Sequence, residues 1–282
     1  MKLLDNLISG SILIITFYII FFIGKIINDW LHREYNTNYE LFERDNAALA
    51  VAIVGYYFGL VLTIGGILIG PSVSILDDIL DVVIYGILGI ILLNISWYIS
   101  YKLILYKFNV TDELIRDQNI GTGAVIAGVN IASGFIIYGS IQGEGGHIGT
   151  VIAFWAIGQI FLVLAGFIYS KIVRYDIHAE IEKDNIAAGV SFAGALIGIG
   201  IIIGLSGESH FESWEKNLSA YLIYATLGLI LLPIIRFVTD LVLIPNVTLE
   251  EEIAKHEKPN IGAAYIEAFS YIAGAFIIYW CI

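Results

Sequence analysis

The chain has 282 residues, 58% of them hydrophobic and only 14% charged, with a mean hydropathy of +0.84 and a formal net charge of −12 at pH 7. Apolar runs of about twenty residues recur along its whole length, which excludes a soluble domain with one or two cores and makes a bilayer the solvent. The acidic balance excludes nucleic acid as a partner, and a single cysteine, Cys281, excludes an internal disulfide.

The first predicted helix covers residues 8–27. Met1 and Lys2 precede it as they would a cleaved signal, but the run is long and ends in Phe17, Tyr18, Phe21 and Phe22, with no small-residue cleavage pattern before Gly24 and Lys25. It is therefore expected to stay in the protein. Further helices are predicted at 46–69, 79–106, 119–141, 148–173, 185–205, 218–244 and 260–282, eight in all. Membrane strands would alternate over about ten residues, whereas these runs are continuously apolar, and only helices satisfy such backbones internally in lipid. The fold class is thus all-α, a polytopic membrane protein. Trp30, Leu31, Tyr35, Tyr39 and Phe42 in the first loop suit a segment lying along the interface. The run TLEEEIAKHEKPN (248–260) predicts a short helix, with Thr248 and Glu251 at capping-box spacing. Trp30, Trp214 and Trp280 fall near helix ends, as in an aromatic belt.

Lysine and arginine set the orientation. Twelve of the fourteen flank the loops after the first, third, fifth and seventh predicted helices, leaving Lys2 and Lys216 on the opposite side. The positive-inside rule then places those loops in the cytoplasm and both termini outside. Asp77, Asp78, Asp81, Glu144, Glu208, Glu212 and Glu215 form an acidic outer surface. It is read as a solvated face, with the attraction of cations to a pore mouth as the alternative.

Every even-numbered helix starts on a shared motif: RDN at Asp45 and Asn46, RDQN ending at Asn119, KDN at Asp184 and Asn185, and KPN ending at Asn260. Asparagine caps helix N-termini and acids nearby suit the helix dipole, so the motif marks helix starts. A shift of 139 residues superposes YGILGIILLNI on YATLGLILLPI, and Gly55 and Gly59 on Gly194 and Gly198; a shift of 141 superposes one FIIY on another. These near-equal shifts indicate a tandem duplication, with repeats at 1–141 and 142–282. Because each repeat holds an even number of helices, both cross the membrane in the same direction, making the repeat parallel. The shared motif adds a weaker fourfold repeat of helix hairpins.

The charged residue followed by DN, the small-residue helix AAGVSFAGALIGIGIII behind it and the four-helix units resemble the bacterial membrane proteins catalogued as domain of unknown function 350. The resemblance covers essentially the whole chain as two copies. KDN at 183–185 fits the pattern well, while RDQN and KPN depart from it. It implies a multipass protein of the bacterial plasma membrane and carries no activity with it.

Gly55 with Gly59, Gly128 with Ala132 and Gly194 with Gly198 have the small-xxx-small spacing that lets helices approach closely in lipid. The run GSIQGEGGHIG lacks the lysine and serine of a phosphate-binding loop and reads as a flexible turn. Polar residues inside the predicted spans are the functional candidates, because they are expensive there. Glu267 leads, about 10 Å into the last helix, followed by Asn130, Asn94 and Gln159, with Thr63, Ser133 and Ser191 weaker. By the duplication Glu267 aligns with Ile126, Asn130 with Tyr271 and Asn94 with Pro233, so the chain writes no symmetric polar ring for a pore. Arg236 and Asp240 stand four apart near a helix end, a spacing at which a helical pair can form, and snorkelling is the default expectation for the arginine.

His32, His147, His178, His210 and His256 lie in different loops without metal-ligand spacing, and Cys281 has no base beside it. No cofactor and no enzymatic activity are expected. Two readings remain: a pathway for cations, protons or a small solute, and a scaffold or subunit that recruits a cytoplasmic protein. Expected partners are the bilayer, a cytoplasmic protein and a second copy of the chain.

Overall fold

The computed structural model describes residues 2–70, 72, 74–142, 145–208 and 210–281, with side chains from Asn6 onward. Glu144 and the side chain of Lys2 lie outside the described residues. Among the described residues eight helices are long and apolar enough to cross a bilayer: α1 (Lys2–Leu31), α3 (Ala47–Leu68), α4 (Ile75–Leu103), α6 (Ile120–Gln142), α7 (Ile148–Ile172), α9 (Ile186–Leu205), α10 (Trp214–Val238) and α11 (Ile261–Cys281). Helices α4 and α10 start about one turn earlier than predicted. Ser74 and Ser213 cap them, accepting from the N–H groups of Asp77 and Lys216, and their polar first turns hid that start from hydropathy. The third predicted helix also ends earlier, at Leu103 instead of Tyr106.

Short elements sit at one end of the molecule, each just before a helix that starts on a motif asparagine. They are α2 (Thr37–Phe42), α5 (Val110–Ile115), α8 (Ile177–Glu182) and a π-helical turn at Glu251–Lys255. The sequence indicated only the first and last of these four. A second π-helical turn, Thr239–Leu243, extends α10.

The long helices form two rows. Helices α3, α6, α9 and α11 stand side by side in that order, and α1, α4, α7 and α10 lie over them, α4, α7 and α10 each bridging two row helices and α1 resting on α3 and α4. An overlying helix, a short element and a row helix make one unit, and four units follow one another along the chain. The seam between α6 and α9, where the two halves meet, is as tight as the seams inside each half.

Small residues make those seams. Gly55, Gly128 and Gly194 each stand nine residues after a capping asparagine and face Ala127, Ala193 and Ala268 of the next row helix. A Cβ on any of the three glycines would overlap the facing backbone, so glycine is what brings the axes together. The ends of the row break this rule. The corresponding outward positions hold Phe269 on α11, 64% exposed, and Val54 on α3, 53% exposed. Bulky side chains thus terminate the row, as capping repeats terminate a solenoid.

Hydrogen bonds join helices where apolar packing alone gives no direction in lipid. Tyr56 of α3 donates to the Gly24 carbonyl of α1 at 3.1 Å, Trp155 of α7 to Ser96 of α4 at 2.8 Å, and Tyr221 of α10 to the Phe154 carbonyl of α7 at 3.0 Å.

Candidate functional site

The helix-start asparagines do more than cap. Asn46, Asn119, Asn185 and Asn260 each accept from the backbone N–H three residues on, at 3.0, 3.0, 3.0 and 3.2 Å. Their amide nitrogens donate to Glu40, Glu113, Glu180 and Glu252 of the preceding short element, at 3.1, 2.7, 3.0 and 2.7 Å. In the first three units the same nitrogen also reaches the next unit, donating to the carbonyls of Leu114, Ile181 and Ile253 at 2.8, 2.6 and 2.8 Å. Each buried asparagine therefore staples its own unit to its neighbour. In the fourth unit Asn260 is exposed and its amide nitrogen bonds Glu252.

Residues around the asparagine explain the motif's departures. Asp45, Gln118 and Asp184 precede it with φ of 50°, 52° and 63°, the left-handed region that aspartate tolerates better than most residues. Pro259 occupies this place in the fourth unit, and proline cannot take positive φ. The chain there spans eight residues from Glu252 to Asn260, against five or six in the other units. The glutamates escaped notice in the sequence because this spacing varies. Burial raises the carboxyl pKa of Glu113, against the lowering effect of its bond from Asn119.

Glu267 lies deeper, fully buried on α11. Its Oε1 accepts from the Tyr169 hydroxyl of α7 at 3.2 Å and pairs with Arg236 of α10, itself 7% exposed. The rings of Phe192 and Tyr271 pack against Tyr169. Glu267 Oε2 has no hydrogen-bond partner among the described residues. Arg236 neither snorkels, being buried, nor takes the pair with Asp240 that their spacing allows. Arg236 turns inward to the buried carboxylate instead, and Asp240 accepts from the Leu249 N–H at 2.7 Å. A charge in low dielectric gains more from a buried opposite charge than from one at the water boundary.

The other candidates are not gathered around Glu267. Asn94, half-buried on α4, donates to the Ile90 carbonyl at 2.7 Å and to Tyr56 at 3.1 Å. Asn130, 1% exposed on α6, leaves its Oδ1 without a hydrogen-bond partner among the described residues. Gln159, on α7, donates to Ser133 at 3.4 Å, and its Oε1 likewise has no partner among the described residues. Sequence reasoning missed the partners Arg236 and Tyr169, which lie 31 and 98 residues from Glu267.

A cavity of about 450 Å³ opens at the end away from the short elements, among α1, α4 and the α6–α7 loop, with Asp78, Asp81 and Tyr85 in its wall. Among the described residues no group of three or more His, Cys, Asp or Glu could hold a metal ion. Two of the histidines are structural. His178 is buried beside Tyr106 and donates from Nε2 to the Ile104 carbonyl at 2.7 Å, and His32 bonds the Asn28 carbonyl through Nδ1 at 2.9 Å.

Eight apolar spans in two rows, with an ion pair enclosed between them, define an integral membrane protein of tandem four-helix units. The chain belongs to the family described as Domain of Unknown Function (DUF350), whose family model matches it twice, over residues 2–141 and 145–282. It is similar to a UPF0719 transmembrane protein of Aquifex aeolicus (strain VF5), 26% identical over 274 residues that cover 95% of this chain and 97% of the relative. No solved structure matches the chain.

Proposed function

We propose that the protein is a membrane scaffold whose short elements form a fixed cytoplasmic deck for a partner protein. The observation that carries this reading is the repeated asparagine staple. Three successive bonds from Asn46, Asn119 and Asn185 lock the deck of each unit to that of the next. A hydrogen bond to a carboxylate contributes about 1.5–3 kcal/mol and one to a carbonyl about 0.5–1.5 kcal/mol. Such expenditure on one face suits a surface whose geometry must not drift. The lysine and arginine bias supports a cytoplasmic position for that face in a bacterial plasma membrane. The pathway reading rested on the parallel duplication and on Glu267, and Arg236 and Tyr169 bond one oxygen of that carboxylate inside packed helices. Photocrosslinkers at Asn38, Asp112 and Glu182, introduced in the native membrane, test the proposal. They should trap the same polypeptide from all three deck sites and not from outer-loop controls, while liposome flux stays at background. Robust flux without a deck crosslink would refute it.

A further inference from the structure

The two halves have diverged at equivalent places. In the second half, Tyr175, Arg236, Glu267 and Tyr271 occupy positions that the duplication matches to Tyr35, Trp97, Ile126 and Asn130 in the first. In the charged set Arg236 pairs with Glu267 Oε1, while Glu267 Oε2 and the Tyr175 and Tyr271 hydroxyls have no hydrogen-bond partner among the described residues. The neutral set leaves a cavity of about 30 Å³ among α1, α3, α4 and α6, lined by Asn28, His32, Tyr35, Tyr56 and Asn130 among others.

Asn130 is 1% exposed, lines this cavity, and has an amide oxygen with no hydrogen-bond partner among the described residues. Leaving such an atom dry costs about 1–3 kcal/mol, whereas a polar space of at least about 10–15 Å³ accommodates a water. The cavity is too small for a solute, and among the described residues its walls carry no Asp, Glu, Lys or Arg to favour an ion. Its lining also includes Val110 and Thr111 of the short helix α5, so it extends from Asn130 toward the deck. We propose that ordered water occupies this crevice, donating a hydrogen bond to Asn130 Oδ1, and that it reaches this site in the first half from the deck.

Radiolytic hydroxyl-radical labelling read by mass spectrometry, on the full chain in lipid nanodiscs, tests this. Radicals arise on water beside the reporter side chain, so Tyr56, 3% exposed but lining the crevice, should oxidise several-fold faster than Tyr221, 1% exposed and away from it. Asn130→Ser, which keeps a polar group and leaves room, should retain that excess, and Asn130→Leu, which fills the space, should lose it. The wild-type comparison decides even where a variant folds poorly. Equal rates for Tyr56 and Tyr221 in the wild type would overturn the proposal, and so would an excess that persists in a folded Asn130→Leu protein.

Discussion

Replacing Glu267 with leucine should be among the most damaging single changes in the protein, and adding Arg236→Leu should repair it. Glu267 is fully buried and the Arg236 side chain is 8% exposed, so neither charge has water to fall back on. Removing one member leaves the other uncompensated at a cost of about 3–5 kcal/mol, whereas replacing a buried pair by apolar groups is about neutral or stabilising by about 1–4 kcal/mol. Each single variant should therefore lower the folding equilibrium by about 160- to 5,000-fold, at 1.36 kcal/mol per factor of ten, and the double variant should return close to wild type. Glu267→Gln should fall between, because it keeps an acceptor for Tyr169 and loses the charge. Unfolding titrations with a denaturing detergent in mild micelles measure all four. A double variant that loses the sum of the two single losses would show that the charges do not depend on each other, and the reasoning would fail.

The staple should cost more to remove inside the row than at its end. Asn185→Ala loses the cap, the Glu180 bond and the Ile253 bond, while Asn260→Ala loses only the first two kinds, so thermal unfolding should show the larger drop for Asn185. Gly139→Ala places a Cβ on the Gly204 carbonyl and should destabilise, whereas Gly65→Ala has open space and should gain up to about 1 kcal/mol from helix propensity, both read by the same titration. Burial lowers the His178 pKa, so its contribution is present above the ordinary histidine value and is lost as pH falls through the lowered one. Melting temperature should therefore decline on acidification below about pH 6.5, and less steeply in His178→Gln; equal slopes would remove His178 as the cause. Val54→Ala with Phe269→Gly should open both row ends and produce head-to-tail association detectable by crosslinking in membranes, absent from wild type.

The spans, the duplication and the seams were legible because each leaves a periodic or repeated mark: long apolar runs, near-equal shifts, and glycines four apart behind an asparagine. The capping role of Asn46, Asn119, Asn185 and Asn260 was legible for the same reason. Their second role was not, since the glutamate partner moves from five to eight residues upstream and the carbonyl partner belongs to another unit. Six-residue helices such as α5 and α8 are too short to show a period. Glu267 stood out as an acid in an apolar helix, but its partner could not be chosen from sequence, because Asp240 lies closer to Arg236 along the chain than Glu267 does. Distance along a helix favoured the wrong carboxylate, and burial decided the pairing.

The same contrast separates scaffold from specificity within the row helices. Nine residues after each asparagine the first three units hold glycine, because the next backbone leaves no room for anything else. Seven and eleven residues after it the side chain turns toward the overlying row, and there the units read Ile53 and Tyr57, Ile126 and Asn130, Phe192 and Leu196, Glu267 and Tyr271. Copying preserved the positions that set helix spacing and released those that set polarity. An apolar pair, a neutral amide and an ion pair now occupy one geometric frame, so whatever distinguishes one unit's work from another's is written on that face.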